Sequence, residues 1–381
     1  MTRAAEQTRY AGVLPSLRDK PRPEPHYGWI AAGIALVILY GSFYPFRFYL
    51  HHDPHHGHHG HLGPLGVLLR SGFRPSSRDD VIANILLYIP LGLFAGYAIK
   101  RRTLTTIAAA TAAGFALSLL VELTQFYFAG RFQELTDLCA NTVGTLLGAA
   151  AAVAARRRMV SPYLALILTC WLGSRWYPAL PLPAPSPLDG FGFFAAWLAV
   201  GLILEAMCGA PRSRVVLPGL LAVSLLVRTL TVAFDPVEIA VGVAAALLWS
   251  GVLWRLRSRA VIAAALLVAL VVLGALVPFH FSYPARGFGW VPFRSFLEAG
   301  TETAIRSFFE KAFLYGGMLW LLVRAGFSAA ASAAFGAALV LNLRLLQVYL
   351  PGRSAEITDM VLVLMLAAMM RLGSPPQPLD S

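Results

Sequence analysis

The chain has 381 residues, 57% of them hydrophobic and 13% charged, with a mean hydropathy of +0.65. That is more apolar surface than one soluble core can hide, so the composition excludes an ordinary globular enzyme and indicates an integral membrane protein. The formal net charge of +12 stands beside no nucleic-acid-binding motif, and is read as membrane topology and attraction to anionic lipid headgroups.

In chain order, residues 1–28 form a polar, basic, proline-containing tail without a cleavable signal pattern, so the first apolar run is expected to stay in the protein. Runs of bilayer-crossing length follow near 29–46, 82–99, 104–125, 136–155, 161–177, 191–209, 215–234, 237–254, 260–279, 307–323, 327–349 and 357–371. The predicted fold is therefore an all-α polytopic transmembrane bundle of about twelve spans. Basic clusters recur after every second span: Lys100 to Arg102, Arg156 to Arg158, Arg212 with Arg214, Arg255 with Arg257 and Arg259, then Arg324 and Arg371. By the positive-inside rule these clusters and both termini are cytoplasmic. Cys139, Cys170 and Cys208 fall inside predicted spans, which indicates neither a disulfide framework nor a thiolate metal cage.

An internal repeat is legible. "GSFYPFRF" at 41, "GSRWYPALP" at 173 and "LVPFHFSYP" at 276 each close a span and open an outward loop. "SLLVELTQFYF" at 118 matches "SLLVRTLTVAF" at 224, and "VELTQFYFAGR" at 121 matches "LRLLQVYLPGR" at 343. The chain divides into a tail at 1–28, units at 29–158, 159–259 and 260–372, and a short tail at 373–381. Four spans per unit keep all three units in one orientation, with any symmetry axis along the membrane normal.

"NILLYIPLGL" at 84, "SLLVELTQ" at 118, "GRFQELTD" at 130 and "NTVGTLLG" at 141 together resemble the VanZ-like family of small bacterial membrane proteins. The positions that carry the resemblance are Asn84, Pro90, Gly92, Glu122, Gln125, Arg131, Asp137, Asn141, Gly144 and Gly148. The third unit matches more weakly through Gln347, Arg353 and Asp359, with Lys311, Arg344 and Val363 where the first unit has Asn84, Glu122 and Asn141. The resemblance implies a role at the bacterial cell envelope, in the cytoplasmic membrane, and an association with tolerance of glycopeptide antibiotics. It implies no established reaction.

Spacing has its own logic. Ser118, Glu122 and Gln125 share one helical face, as do Asp137, Asn141, Gly144 and Gly148, so two polar faces are expected to confront each other. A charge at mid-membrane costs roughly 2.5–3.5 kcal/mol on the lenient insertion scale and normally faces a partner or a wet cavity. Aligned positions 122, 228 and 344 hold Glu, Arg and Arg, while 84 and 311 hold Asn and Lys. If the units close around an axis, Asn84, Glu122, Gln125, Arg131, Asp137, Asn141, Arg228, Lys311, Arg344, Gln347, Arg353 and Asp359 line a net-positive outward vestibule, with Glu122 beside Arg344. Such a vestibule suits an anionic lipid-linked or glycan intermediate. The bland alternative is that Arg131 pairs with Asp137 and clamps the outer hairpin. An acid/base enzyme using Glu122 or Asp137 would need a paired nucleophile or a fixed metal that the sequence does not offer. A non-catalytic scaffold for envelope machinery is the third reading.

The tract "HHDPHHGHHGH" holds His51, His52, Asp53, His55, His56, His58, His59 and His61. Neutral imidazoles bind divalent metals, but glycine and proline spacing sets no fixed tetrahedron, so opportunistic metal binding is expected and no cofactor. Residues 62–78 and 288–306 are expected to lie in the outer interface as amphipathic segments. Glu205 is a buried acid by position, to be paired with an arginine.

Overall fold

Apolar runs this long have no aqueous face to turn outward, and in hydrocarbon each backbone N–H and C=O must be satisfied within its own segment, which selects the helix. The fold is taken from a computed structural model, which describes residues 26–48, 63–73, 78–128, 133–157, 160–176, 187–231, 236–299 and 301–373. The His tract, Arg131 and most of both tails lie outside the described residues. Among the described residues there are fourteen α-helices: α1 (Tyr27–Phe43), α2 (Pro64–Ser71), α3 (Arg78–Ala98), α4 (Thr103–Gln125), α5 (Leu135–Arg157), α6 (Pro162–Trp176), α7 (Pro187–Cys208), α8 (Ala210–Thr231), α9 (Pro236–Gly251), α10 (Arg259–Leu276), α11 (Arg294–Glu298), α12 (Thr301–Arg324), α13 (Ala329–Leu346) and α14 (Thr358–Gly373). No strand occurs among these residues, only isolated bridges at Phe48–Phe128 and Gly289–Glu356.

Among the described residues, eight helices (α3, α4, α5, α7, α8, α9, α10 and α13) are long and apolar enough to cross a membrane. Their outward side chains stay apolar: Leu87, Leu120, Leu226 and Leu247 are exposed on the protein surface, as a lipid-facing surface requires. Pro90 and Pro218 lie inside α3 and α8 without ending them. The segments before α3 and α12, read as amphipathic in the sequence, contain the short helices α2 and α11.

Three sets of four long helices share one packing pattern. In α1–α3–α4–α5, in α6–α7–α8–α9 and in α10–α12–α13–α14, the second helix packs on the fourth, third and first, and the third packs on the fourth and first. Between sets, α6 packs on α12 and α3, α10 on α7, and α1 on α14. The buried centre includes Ile167, Trp197, Leu267 and Met318.

The tightest pairing is α3 on α5. A side-chain carbon on Gly92 would strike the Thr145 carbonyl, one on Gly144 the Ile85 carbonyl and one on Gly148 the Ile89 carbonyl. The small residues of α5 therefore face α3, while the polar residues of the same helix reach α4 through Asn141 and Ser118. Backbone contact at this distance places the start of α5 directly beside Asn84 of α3.

The two ends of the bundle differ. At one end the His26 amide donates to Leu372 (2.9 Å), Tyr97 donates to Val160 (2.8 Å) and Arg156 to Ile99 (2.8 Å), all among the basic clusters. Glu205 there meets Arg259 in a two-pronged pair at 2.6 and 3.0 Å. At the other end Tyr40 donates to the Pro292 carbonyl (2.9 Å), tying the first set to the segment before α12.

Gly148→Leu, which drives a side chain into the α3 backbone, should cost roughly 1–3 kcal/mol or more and cut the recovered folded protein several-fold. Gly274→Leu, at a position with open space around it, should leave recovery unchanged. Fluorescence-detected size-exclusion chromatography reads both.

Candidate functional site

Each set places a carboxylate in the first turn of its fourth helix: Asp137 on α5, Glu238 on α9 and Asp359 on α14. The positive end of the helix macrodipole favours an acid there. Each set also places a charged residue near the end of its third helix, where a cation is favoured: Arg228 on α8 and Arg344 on α13, but Glu122 on α4.

In the third set the acid is closed by its own chain. Asp359 is fully buried, pairs with Arg344, pairs with Lys311 at 2.9 Å and accepts from the Tyr315 hydroxyl at 2.6 Å. Arg344 also donates to the Gln347 side chain. The connection is stitched over it: Arg286 donates to the Arg353 carbonyl (2.7 Å), the Phe293 amide to Thr358 (2.7 Å) and Ser295 to Glu356.

The second set repeats the closure with different donors. Glu238, 1% exposed, pairs with Arg228 at 2.8 Å and with Arg175 from the end of α6. Arg175 lies over the Phe193 ring, 4.4 Å from its centroid.

The first set differs. Asn84 hydrogen-bonds Asp137. Glu122, 2% exposed, accepts from the Glu134 amide at 3.0 Å, while the Gln133 side chain donates to the Glu122 carbonyl at 2.6 Å. Asn141 donates to the Ser118 hydroxyl at 2.9 Å. Among the described residues, Asp137 and Glu134 act on Glu122, and Glu134 and Asp80 act on Asp137, all of them acidic. Asn84, Gln125 and Asp137 are half-buried, and Glu122 and Asn141 are buried.

These positions correct part of the sequence reading. Arg228, Lys311 and Arg344 do not line a shared positive vestibule: each closes on the acid of its own set, and Arg344 meets Asp359 rather than Glu122. In a low-dielectric interior the nearest opposite charge wins, because an unpaired buried ion is costly. Arg353 is exposed and donates to the Val277 carbonyl at 2.7 Å, away from Asp359. Gln125 and Gln347 tie helices together, donating to the Ser42 carbonyl (3.2 Å) and the Ala275 carbonyl (2.8 Å) in the last turns of α1 and α10. Arg131 and the metal candidates His51 to His61 lie outside the described residues.

The residues that spacing alone missed are Arg175, Glu238 and Tyr315. Tyr315 had a signal, since Asn84 with Tyr88 and Lys311 with Tyr315 repeat one i, i+4 spacing. Glu238 stands three residues into its helix, as Asp137 does. Arg175 had none, because it reaches the acid from the last turn of the first helix, where α1 and α10 have no cation.

Helices of this length with lipid-type surfaces and polar junctions buried near one end define a polytopic α-helical membrane protein. A family model, VanZ/LLP1, matches residues 29–156, so the segment from α1 through α5 is similar to that family. No curated protein and no solved structure matches the chain.

Asp359→Ala removes the one acid that holds Lys311 and Arg344, and should destabilise the protein by about 3–5 kcal/mol, the cost of leaving buried charge unpaired. Arg294→Ala breaks only the exposed pair with Glu298 and should not measurably change stability. Thermal unfolding of the purified protein distinguishes the two.

Proposed function

We propose that this VanZ-like protein sits in the bacterial inner membrane as twelve spans in three tandem units, 29–158, 159–259 and 260–372, with both termini cytoplasmic. We propose further that its first unit binds a lipid-linked glycan intermediate of the envelope at the outer leaflet. The observation that carries this reading is the difference between the sets. Two have their acid closed by their own arginines, whereas the first presents half-buried Asn84, Gln125 and Asp137 together with buried Glu122. Carboxylates and side-chain amides are the groups that grip sugar hydroxyls. Arg228, Lys311 and Arg344 are already paired with acids, so an anionic phosphate on the intermediate falls to Arg131, two residues before Gln133 in the sequence. Holding or moving such an intermediate would alter glycopeptide antibiotic tolerance.

The repeat is supported by local correspondences. The turn closing α1 returns at the end of α10: Phe46 and Phe279 have φ of 59° and 60°, and their amides donate three residues back to Phe43 (2.7 Å) and Leu276 (2.6 Å). The orientation is supported by the basic clusters at the opposite end of the bundle. The His tract serves opportunistic metal binding.

Two experiments test the proposal. Lipids retained by the full-length protein in nanodiscs should be enriched in a glycan lipid by mass spectrometry, and Arg131→Ala or Asp137→Asn should reduce that enrichment by about tenfold, the effect of losing one charge-assisted contact. Equal retention by wild type and both variants would contradict the site. In cells whose native cysteines are replaced, a cysteine at position 57 should react with an impermeant maleimide and one at position 157 should not. The reverse pattern would contradict the orientation.

A further inference from the structure

The acidic character of the first set's junction carries a second consequence. Glu122 stands near the C-terminal end of α4, where the helix macrodipole disfavours an anion. It is buried, and the charges acting on it among the described residues are acidic. The corresponding positions of the other sets hold Arg228 and Arg344, each closed on the acid of the following helix. The first set keeps that acid, Asp137, and places a second carboxylate where the arginine would be.

An independent observation concerns the neutral side chains around the pair. Asn141 and Gln133 are both more than nine-tenths buried. Asn141 uses its amide donor on Ser118, and Gln133 uses its donor on the Glu122 carbonyl. The amide oxygens of both, Oδ1 and Oε1, have no hydrogen-bond partner. Buried acceptors are rarely left unmatched, and here two amide acceptors accompany two carboxylates, while each amide nitrogen already donates once. The complementary ligand is one that only donates and carries positive charge, and a primary ammonium, with three N–H donors and no acceptor, is that group. Among the described residues no cluster of three or more His, Cys, Asp or Glu side chains is arranged to hold a metal ion.

We infer that the first set's junction is a receptor for a primary ammonium carried by the bound ligand, seated among Glu122, Asp137, Asn141 and Gln133 where Arg228 and Arg344 serve the other sets. The inference deepens the glycan-lipid reading and rests on it. Two envelope chemistries supply such an ammonium, an amino sugar with a free amine and an aminoalkyl phosphate headgroup.

The test uses the full-length protein and four probes. Glucosamine is compared with N-acetylglucosamine in detergent, and phosphatidylethanolamine with phosphatidylglycerol in nanodiscs, by thermal unfolding. At saturation the amine-bearing probe should raise Tm by about 2 °C or more, and its partner lacking the amine should not. A shift with glucosamine alone assigns the amino sugar, and a shift with phosphatidylethanolamine alone assigns the headgroup. Glu122→Gln and Asp137→Asn should each abolish the shift. The inference is overturned if no amine-bearing probe acts, if the amine-free partner acts equally, or if the shift survives both substitutions. The comparison within wild type stands even if either variant fails to fold. Selective retention of a glycan lipid without discrimination for the amine would overturn this inference and leave the glycan-lipid proposal standing.

Discussion

A carboxylate in the first turn of a membrane helix, packed against the end of the preceding helix, must be answered by a cation or a dense set of donors. The protein meets this constraint three times, and the answers set the character of each helix set. Asp359 takes Arg344, Lys311 and Tyr315; Glu238 takes Arg228 and Arg175; Asp137 takes Asn84, with another acid at the arginine's position. Two junctions are internally neutralised and suited to hold the bundle. Among the described residues, the junction of the first set has acids at both places and no arginine at either.

The surrounding packing makes these junctions rigid. Glycines on α3 and α5 bring the two backbones together, which fixes where Asn84 and Asp137 meet. Gln125 and Gln347 tie the ends of α4 and α13 to the last turns of α1 and α10, so the first helix of each of these sets is locked to the third. In the third set the segment from Val277 to Glu298 then closes over the junction through Arg286, Phe293 and Ser295. The acids of the second and third sets, Glu238 and Asp359, are buried, whereas Asp137 of the first is half-buried.

Much of this was legible in the sequence, for identifiable reasons. Apolar length alone located the long helices, because hydrocarbon leaves the backbone no other regular solution. The polar faces of α4 and α5 followed from i, i+4 spacing, and Ser118 does meet Asn141. Spacing gives a face but not the neighbour across it, so it could not say that Gly144 and Gly148 turn to α3 while Asn141 turns to α4. The exchange of Glu122 for Arg344 suggested a contact between units. Such an exchange also fits equivalent places in separate junctions, and the structure has the latter arrangement. Arg175 was invisible because its partner lies on a helix three elements away, at a place where the other sets carry no cation.

The central claim is that positions 122, 228 and 344 are one structural place with different charge. A double-mutant cycle in thermal unfolding tests it most directly, using Glu122→Arg alone, Asp137→Ala alone and the two combined. If the place is shared, the new arginine closes on Asp137 as Arg344 closes on Asp359. Glu122→Arg is then tolerated, and removing Asp137 costs more in that background than in wild type, with a coupling of about 1 kcal/mol or more. Additive effects, with no coupling between 122 and 137 in a folded Glu122→Arg protein, would contradict the account.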